Sequence, residues 1–142
     1  WVVIDDKNNI IAVYVSHKRD IISAKKVLQL ALSRANKPPE ILVSDGCPSY
    51  IKACKSVFGR NTKHTVRHFK AEGLVHKKII LYLSNNRIES LNSKINLWYK
   101  KFRGFKSLYT ANLWCNLYMY FYNLVRPRII PHKITSLSEI IR

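Results

Sequence analysis

The sequence predicts one α/β domain, and three observations carry the prediction: a β-rich opening, an amphipathic helix behind it, and a short apolar run ending on Ser44, Asp45 and Gly46. Residues 1–4 and 10–15 are rich in β-branched side chains and flank Asp6, Lys7, Asn8 and Asn9, residue types that favour turns. They predict a hairpin. From Asp20, a good helix cap, Ile21, Ala24, Val27, Leu28, Ala31 and Leu32 recur at steps of three and four until Asn36, Pro38 and Pro39 end the helix. Ile41, Leu42 and Val43 follow as a continuous apolar run, the pattern of a strand covered on both faces, so a buried central strand is predicted. Its carboxyl end, where ligands collect in α/β sheets, delivers Asp45.

Pro48 can open a helix reaching about Val57, because the first helical turn does not use the N–H that proline lacks. Gly59 breaks that helix, and residues 62–66 predict another strand. Residues 67–83 show no assignable period. From Asn85 onward, Ile88, Leu91, Ile95, Trp98 and Phe102 form an apolar stripe opposite Glu89, Asn92, Ser93, Asn96 and Lys100. Glu89 therefore falls on the polar face of a helix's first turn, with Asn85 and Asn86 as caps. Gly104 interrupts, and Ser107 caps a last long helix running to about Val125. The domain is expected to span residues 1–126. Residues 127–142, entered through Pro127 and Pro131, read as a poorly ordered basic tail.

A chain of 142 residues suits a single core. Its 25 Lys and Arg face only eight Asp and Glu, a formal charge of +17. A surface so positive calls for a polyanionic partner, and basic residues interleaved with aromatic ones point to nucleic acid. Cys47, Cys54 and Cys115 are odd in number and contain no CxxC pair, which argues against a disulfide framework and for a reducing, cytoplasmic setting. Cys47 and Cys54, with His64 and His68, lack the close cysteine spacing of a zinc knuckle. Asp6 and Lys7 cut short any secretory leader, and Asn112, Asn116 and Asn123 interrupt the apolar run 108–125, so a buried helix is expected there and no membrane partner.

With so few acids, each carboxylate is informative. Asp45 at a strand end and Glu89 on a polar helix face can converge on hard divalent cations. Two such ions about 4 Å apart serve phosphodiester cleavage. On spacing alone, a capping Asp and a surface Glu explain the pair equally well.

Larger motifs shift that balance. Segment 43–50, Val-Ser-Asp-Gly-Cys-Pro-Ser-Tyr, resembles the second-aspartate motif of bacterial and archaeal insertion-sequence transposases. Segment 85–94, Asn-Asn-Arg-Ile-Glu-Ser-Leu-Asn-Ser-Lys, resembles their glutamate motif, and segments 103–107 and 121–127 are similar to their C-terminal signature. The resemblance implies an RNase H-like fold, a mixed sheet flanked by helices, as in retroviral integrases. It also implies a DDE triad working with two Mg²⁺ or Mn²⁺ ions on transposon-end and target DNA, as a homo-oligomer at the nucleoid. Asp45 would be the second acid and Glu89 the third. Residues 1–5 and 9–16 resemble that family's second and third strands, which makes Asp5 a turn residue. The first strand and its acid are then expected to be missing from this sequence, and a catalytically inactive DNA-binding remnant is the alternative function. Lys94, Lys100, Lys101, Arg103 and Lys106, the densest basic stretch, are the candidates for phosphate contact. Lys18 and Arg19 read as a solvated turn with DNA contact as the alternative, His64, Arg67 and His68 as surface or packing residues with approach to phosphate as the alternative, and Trp98 and Trp114 as core rather than base-stacking platforms.

Overall fold

The opening hairpin forms between β1 (Val2–Ile4) and β2 (Ile10–Val13), antiparallel, with Val2 opposite Val13 and Val3 opposite Ala12. Asp5 closes its turn: one carboxylate oxygen accepts the Asn9 backbone N–H and the other the Asn9 side-chain amide, both at 2.6 Å. Asn8 takes a left-handed φ of 68°, which asparagine tolerates better than most residues. Asp5 is thus a turn residue, as the sequence indicates. The structure, a computed structural model, describes residues 1–66, 86–125, 128–130 and 133–135. The readings made for Arg67, His68 and the Asn85 cap lie outside those residues.

Helix α1 (Ile21–Ala35) starts where the Asp20 carboxylate accepts the Ser23 N–H at 2.8 Å and ends where Asn36 turns left-handed. Helix α2 (Pro48–Phe58) has its proline in the first turn and stops at Gly59, φ 77°. The two pack together, burying Ala24, Val27 and Leu28 of α1 against Ala53 and Cys54 of α2, with Ala12 of the hairpin beneath. Between them runs β3 (Ile41–Ser44), paired in parallel with β4 (Lys63–Val66).

The expectation of a buried central strand needs correcting here. Ile41 is 53% exposed, Leu42 and Val43 are half-buried, and only Ser44 is buried. Among the described residues β4 is its only ladder partner. An apolar run reports what a strand could bury; it does not specify what covers it.

Helix α3 (Asn86–Lys101) leads to α4 (Leu108–Tyr120), whose cap is the Ser107 hydroxyl accepting the Thr110 N–H, and α4 continues in a π-helical turn, Phe121–Val125. Leu91, Cys115, Tyr118, Met119 and Tyr122 form a second core with Ile10 and Val13. Alternation along β1 sets the layers. Trp1 and Val3 face the α1/α2 core, whereas Val2 and Ile4 face α3 and α4. The chain is mixed α/β, with helices on both faces of the hairpin.

The α3 stripe is buried at Leu91 but not along its whole length: Trp98 is 40% exposed, so its reading as core is corrected, while Trp114 is half-buried in a cluster of rings with Trp98, Phe102 and Phe105. The α3 turns that follow Leu91 run past the end of the hairpin core, where periodicity alone cannot supply a cover. Within the tail, β5 (Arg128–Ile130) and β6 (Lys133–Thr135) pair antiparallel. Ile129, Ile130 and Ile134 supply the β propensity that the prolines obscured. Among the described residues no helix is long and apolar enough to cross a membrane.

Asparagines of α4 and its π-helical turn bond the backbone along the outer edge of β2 and just beyond its end. Asn112 accepts the Val15 N–H and donates to the Val15 carbonyl, both at 2.9 Å. Asn123 does the same for Ile10, at 2.9 and 2.8 Å. The geometry is a match of rises: a helix climbs about 16 Å from Asn112 to Asn123, and an extended strand covers about the same distance from Val15 back to Ile10. Each amide imitates one rung of a missing neighbouring strand. Asn123→Leu strands both Ile10 backbone groups, so we expect a loss of about 2 kcal/mol and a fall in Tm of several degrees in thermal or urea unfolding. A change below about 0.5 kcal/mol would show that the clamp contributes nothing.

Candidate functional site

Asp45 sits at the carboxyl end of the parallel pair, one residue beyond buried Ser44 and three before the first residue of the next element, α2. Gly46, at φ 85°, makes the bend between them, a conformation that glycine adopts without penalty. One Asp45 oxygen accepts the Cys47 N–H at 3.2 Å, and the other is paired with the Arg19 guanidinium at 3.2 Å. The pair is open, with side chains 53% and 72% exposed, so it is worth about 0–1 kcal/mol. Arg19, Asp45, Gly46, Cys47 and Pro48 line an open cleft.

The pairing of Arg19 with Asp45 is not legible in the sequence, because the two lie far apart along the chain. Topology is the signal that could have found it. A short connection joins the end of α1 to the start of β3, so the helix runs antiparallel to the strand and its first turn must come near the strand's last residue. The Ser49 hydroxyl donates to the Arg19 carbonyl at 3.3 Å, tying the loop to α2. Tyr50, also missed, packs edge-on against Trp1 with ring centres 5.2 Å apart. Burial, then the charges of Asp45 and Cys47, push its phenol up to about 12, so it keeps its proton across the working range.

On the adjoining strand, His64 Nε2 lies 2.9 Å from the Ser44 hydroxyl, bridging β4 to the residue before Asp45. Burial holds the His64 pKa below its usual 6.5. Unfolding lets the ring take up a proton, so stability is full above pH 6.5 and declines as pH falls below it. Urea midpoints should drop between pH 7 and pH 5, and His64→Gln should flatten that drop. An unchanged slope in the variant assigns the acid sensitivity elsewhere.

Glu89 is exposed in the first turn of α3, where a negative charge also suits the helix dipole, and its backbone carbonyl accepts the Ser93 hydroxyl at 3.0 Å. The side chain paired with Asp45 is Arg19 rather than Glu89, and among the described residues no three His, Cys, Asp or Glu gather into a metal cluster.

The basic candidates divide. Lys100, Lys101, Arg103 and Lys106 are exposed around the end of α3 and the turn after it, while Lys94 is half-buried. The Lys101 ammonium lies 4.8 Å from the Trp98 ring centre and that of Lys94 lies 6.0 Å from Tyr122. Lys100 and Lys101 also close α3, where the helix dipole favours cations.

No curated protein and no solved structure matches the chain. A family model described as a DDE domain matches residues 1–127, nearly all of the sequence and both segments that carry Asp45 and Glu89. The chain therefore belongs to the DDE-domain family of insertion-sequence transposases.

Proposed function

We propose that this DDE domain performs metal-dependent phosphodiester cleavage and strand transfer in DNA transposition, with Asp45 and Glu89 as metal ligands. The observation that carries the proposal is the position of Asp45, at a strand's carboxyl end within a domain matched over residues 1–127. Mg²⁺ and Mn²⁺ take hard carboxylate oxygens, and Asp45 and Glu89 offer them at exposed positions. The Asp45 carboxylate is open enough to take a cationic partner, Arg19, which a metal ion would have to displace or share. When bound, two such ions supply activation of the attacking oxygen and stabilisation of the leaving one.

The chain's own residues do the holding. Gly46 and the Cys47 amide fix the Asp45 carboxylate, and Arg19 sets a planar guanidinium beside it that suits a DNA phosphate. Lys94, Lys100, Lys101, Arg103 and Lys106 contact the DNA backbone, and the protein acts as a homo-oligomer on transposon ends and target at the nucleoid, within the cytoplasm.

A second reading, a DNA-binding remnant without catalysis, draws on the absence of a three-donor cluster among the described residues. The discriminating experiment is cleavage of transposon-end duplex with Mg²⁺ or Mn²⁺ by the full reading frame that carries this chain. The catalytic reading expects cutting that is lost on Asp45→Ala or Glu89→Ala. DNA that is bound but never cut replaces it with the remnant.

A further inference from the structure

Helix α4 and its π-helical extension, residues 108–125, contain none of the 25 basic and eight acidic residues of the chain. One face is buried through Ala111, Cys115, Tyr118 and Tyr122. The opposite face is exposed and apolar: Tyr109, Leu113, Leu117, Tyr120, Phe121 and Leu124, with Tyr109 77% and Leu117 67% exposed. These positions recur at steps of three and four and make one continuous stripe.

We infer that this stripe is a docking surface for a second copy of the same chain, the two α4 helices crossing about a two-fold axis at Leu117. The inference deepens the proposed homo-oligomer but concerns assembly without DNA. Charge selects the occupant. DNA needs cations on the surface it meets, and an interfacial membrane helix carries a basic row beside its apolar face; this helix has neither. Two chains of formal charge +17 repel each other over most of their surface. The uncharged stripe is a place where they can meet without opposing like charges.

The spacing is also self-complementary. About an axis at Leu117, Leu113 of one copy reaches Tyr120 and Phe121 of the other, and Tyr109 reaches Leu124. Each such pair occurs twice, reciprocally, as an isologous interface requires, and sets an aromatic ring against an aliphatic chain. The six side chains present on the order of 700 Å² per copy, close to the ~800 Å² per partner of standard specific interfaces.

The test is sedimentation of the full chain without DNA across a salt series, with Cys47, Cys54 and Cys115 replaced by Ser or Ala where cross-linking is read. A dimer that tightens as salt rises is expected, because screening removes the repulsion, and DNA binding weakens over the same series. Leu117→Glu should be monomeric with unchanged circular dichroism. Leu117→Cys should form a 117–117 disulfide on mild oxidation at least tenfold faster than Leu97→Cys, an exposed control on α3. A monomer at every salt concentration overturns the proposal while leaving DNA-templated assembly standing, as does equal cross-linking at both positions. Stripe-dependent flotation of a monomer with anionic phosphatidylglycerol vesicles overturns it in favour of a lipid surface.

Discussion

Asp45→Asn lowers Mg²⁺-dependent cleavage of transposon-end DNA by at least about 10³-fold and leaves DNA affinity intact. The replacement keeps the side chain's shape and an oxygen to accept the Cys47 N–H, but removes the anionic charge that a hard cation requires. Losing a partner one shell removed from a metal typically costs about 10- to 100-fold, so losing a direct ligand costs more. Stability should hardly move, because the ion pair with Arg19 is exposed and worth about 0–1 kcal/mol. Cleavage within about tenfold of the parent would remove Asp45 from the ligand set. A matching collapse for Glu89→Gln, an exposed residue on another element, would place both carboxylates in one reaction.

How far the sequence could be read depends on the range of the interaction that decides each feature. Asp20, Asn36, Pro48, Gly59 and Ser107 act within a turn of their own position, and each helix boundary they predict lies within about a residue of the observed one. Asp5 was legible as a turn residue for the same reason. Cover was not legible. Ile41 and Trp98 have the pattern of core residues and are exposed because burial depends on which distant element arrives. The asparagines of α4 and its π-helical turn show the limit most clearly: from sequence they are interruptions of an apolar run, and only the antiparallel alignment of helix and strand edge turns Asn112 and Asn123 into backbone clamps. Asp45 was found by motif, but its guanidinium partner was a matter of topology.

Replacing Lys100, Lys101, Arg103 and Lys106 together with Gln should reduce the slope of log affinity against log salt by about 3.6, at about 0.9 per phosphate neutralised. At 0.1 M salt this amounts to roughly 10³-fold weaker DNA binding, equal for every sequence, because backbone contacts carry no base information. Lys94 is left in place, since it is half-buried beside the Tyr122 ring and its loss would mix packing with charge. The competing role is structural. Lys100 and Lys101 cap the α3 dipole and Lys101 sits over Trp98, contributions of a few tenths of a kcal/mol to about 1 kcal/mol each. Binding titrations in a salt series and thermal unfolding of the same variant separate the two. A slope reduced by less than one, with a lowered Tm, would assign these cations to the helix end and move the phosphate contacts elsewhere. A slope reduced by three or more at nearly constant Tm would establish the exposed end of α3 and the turn after it as the surface that meets DNA.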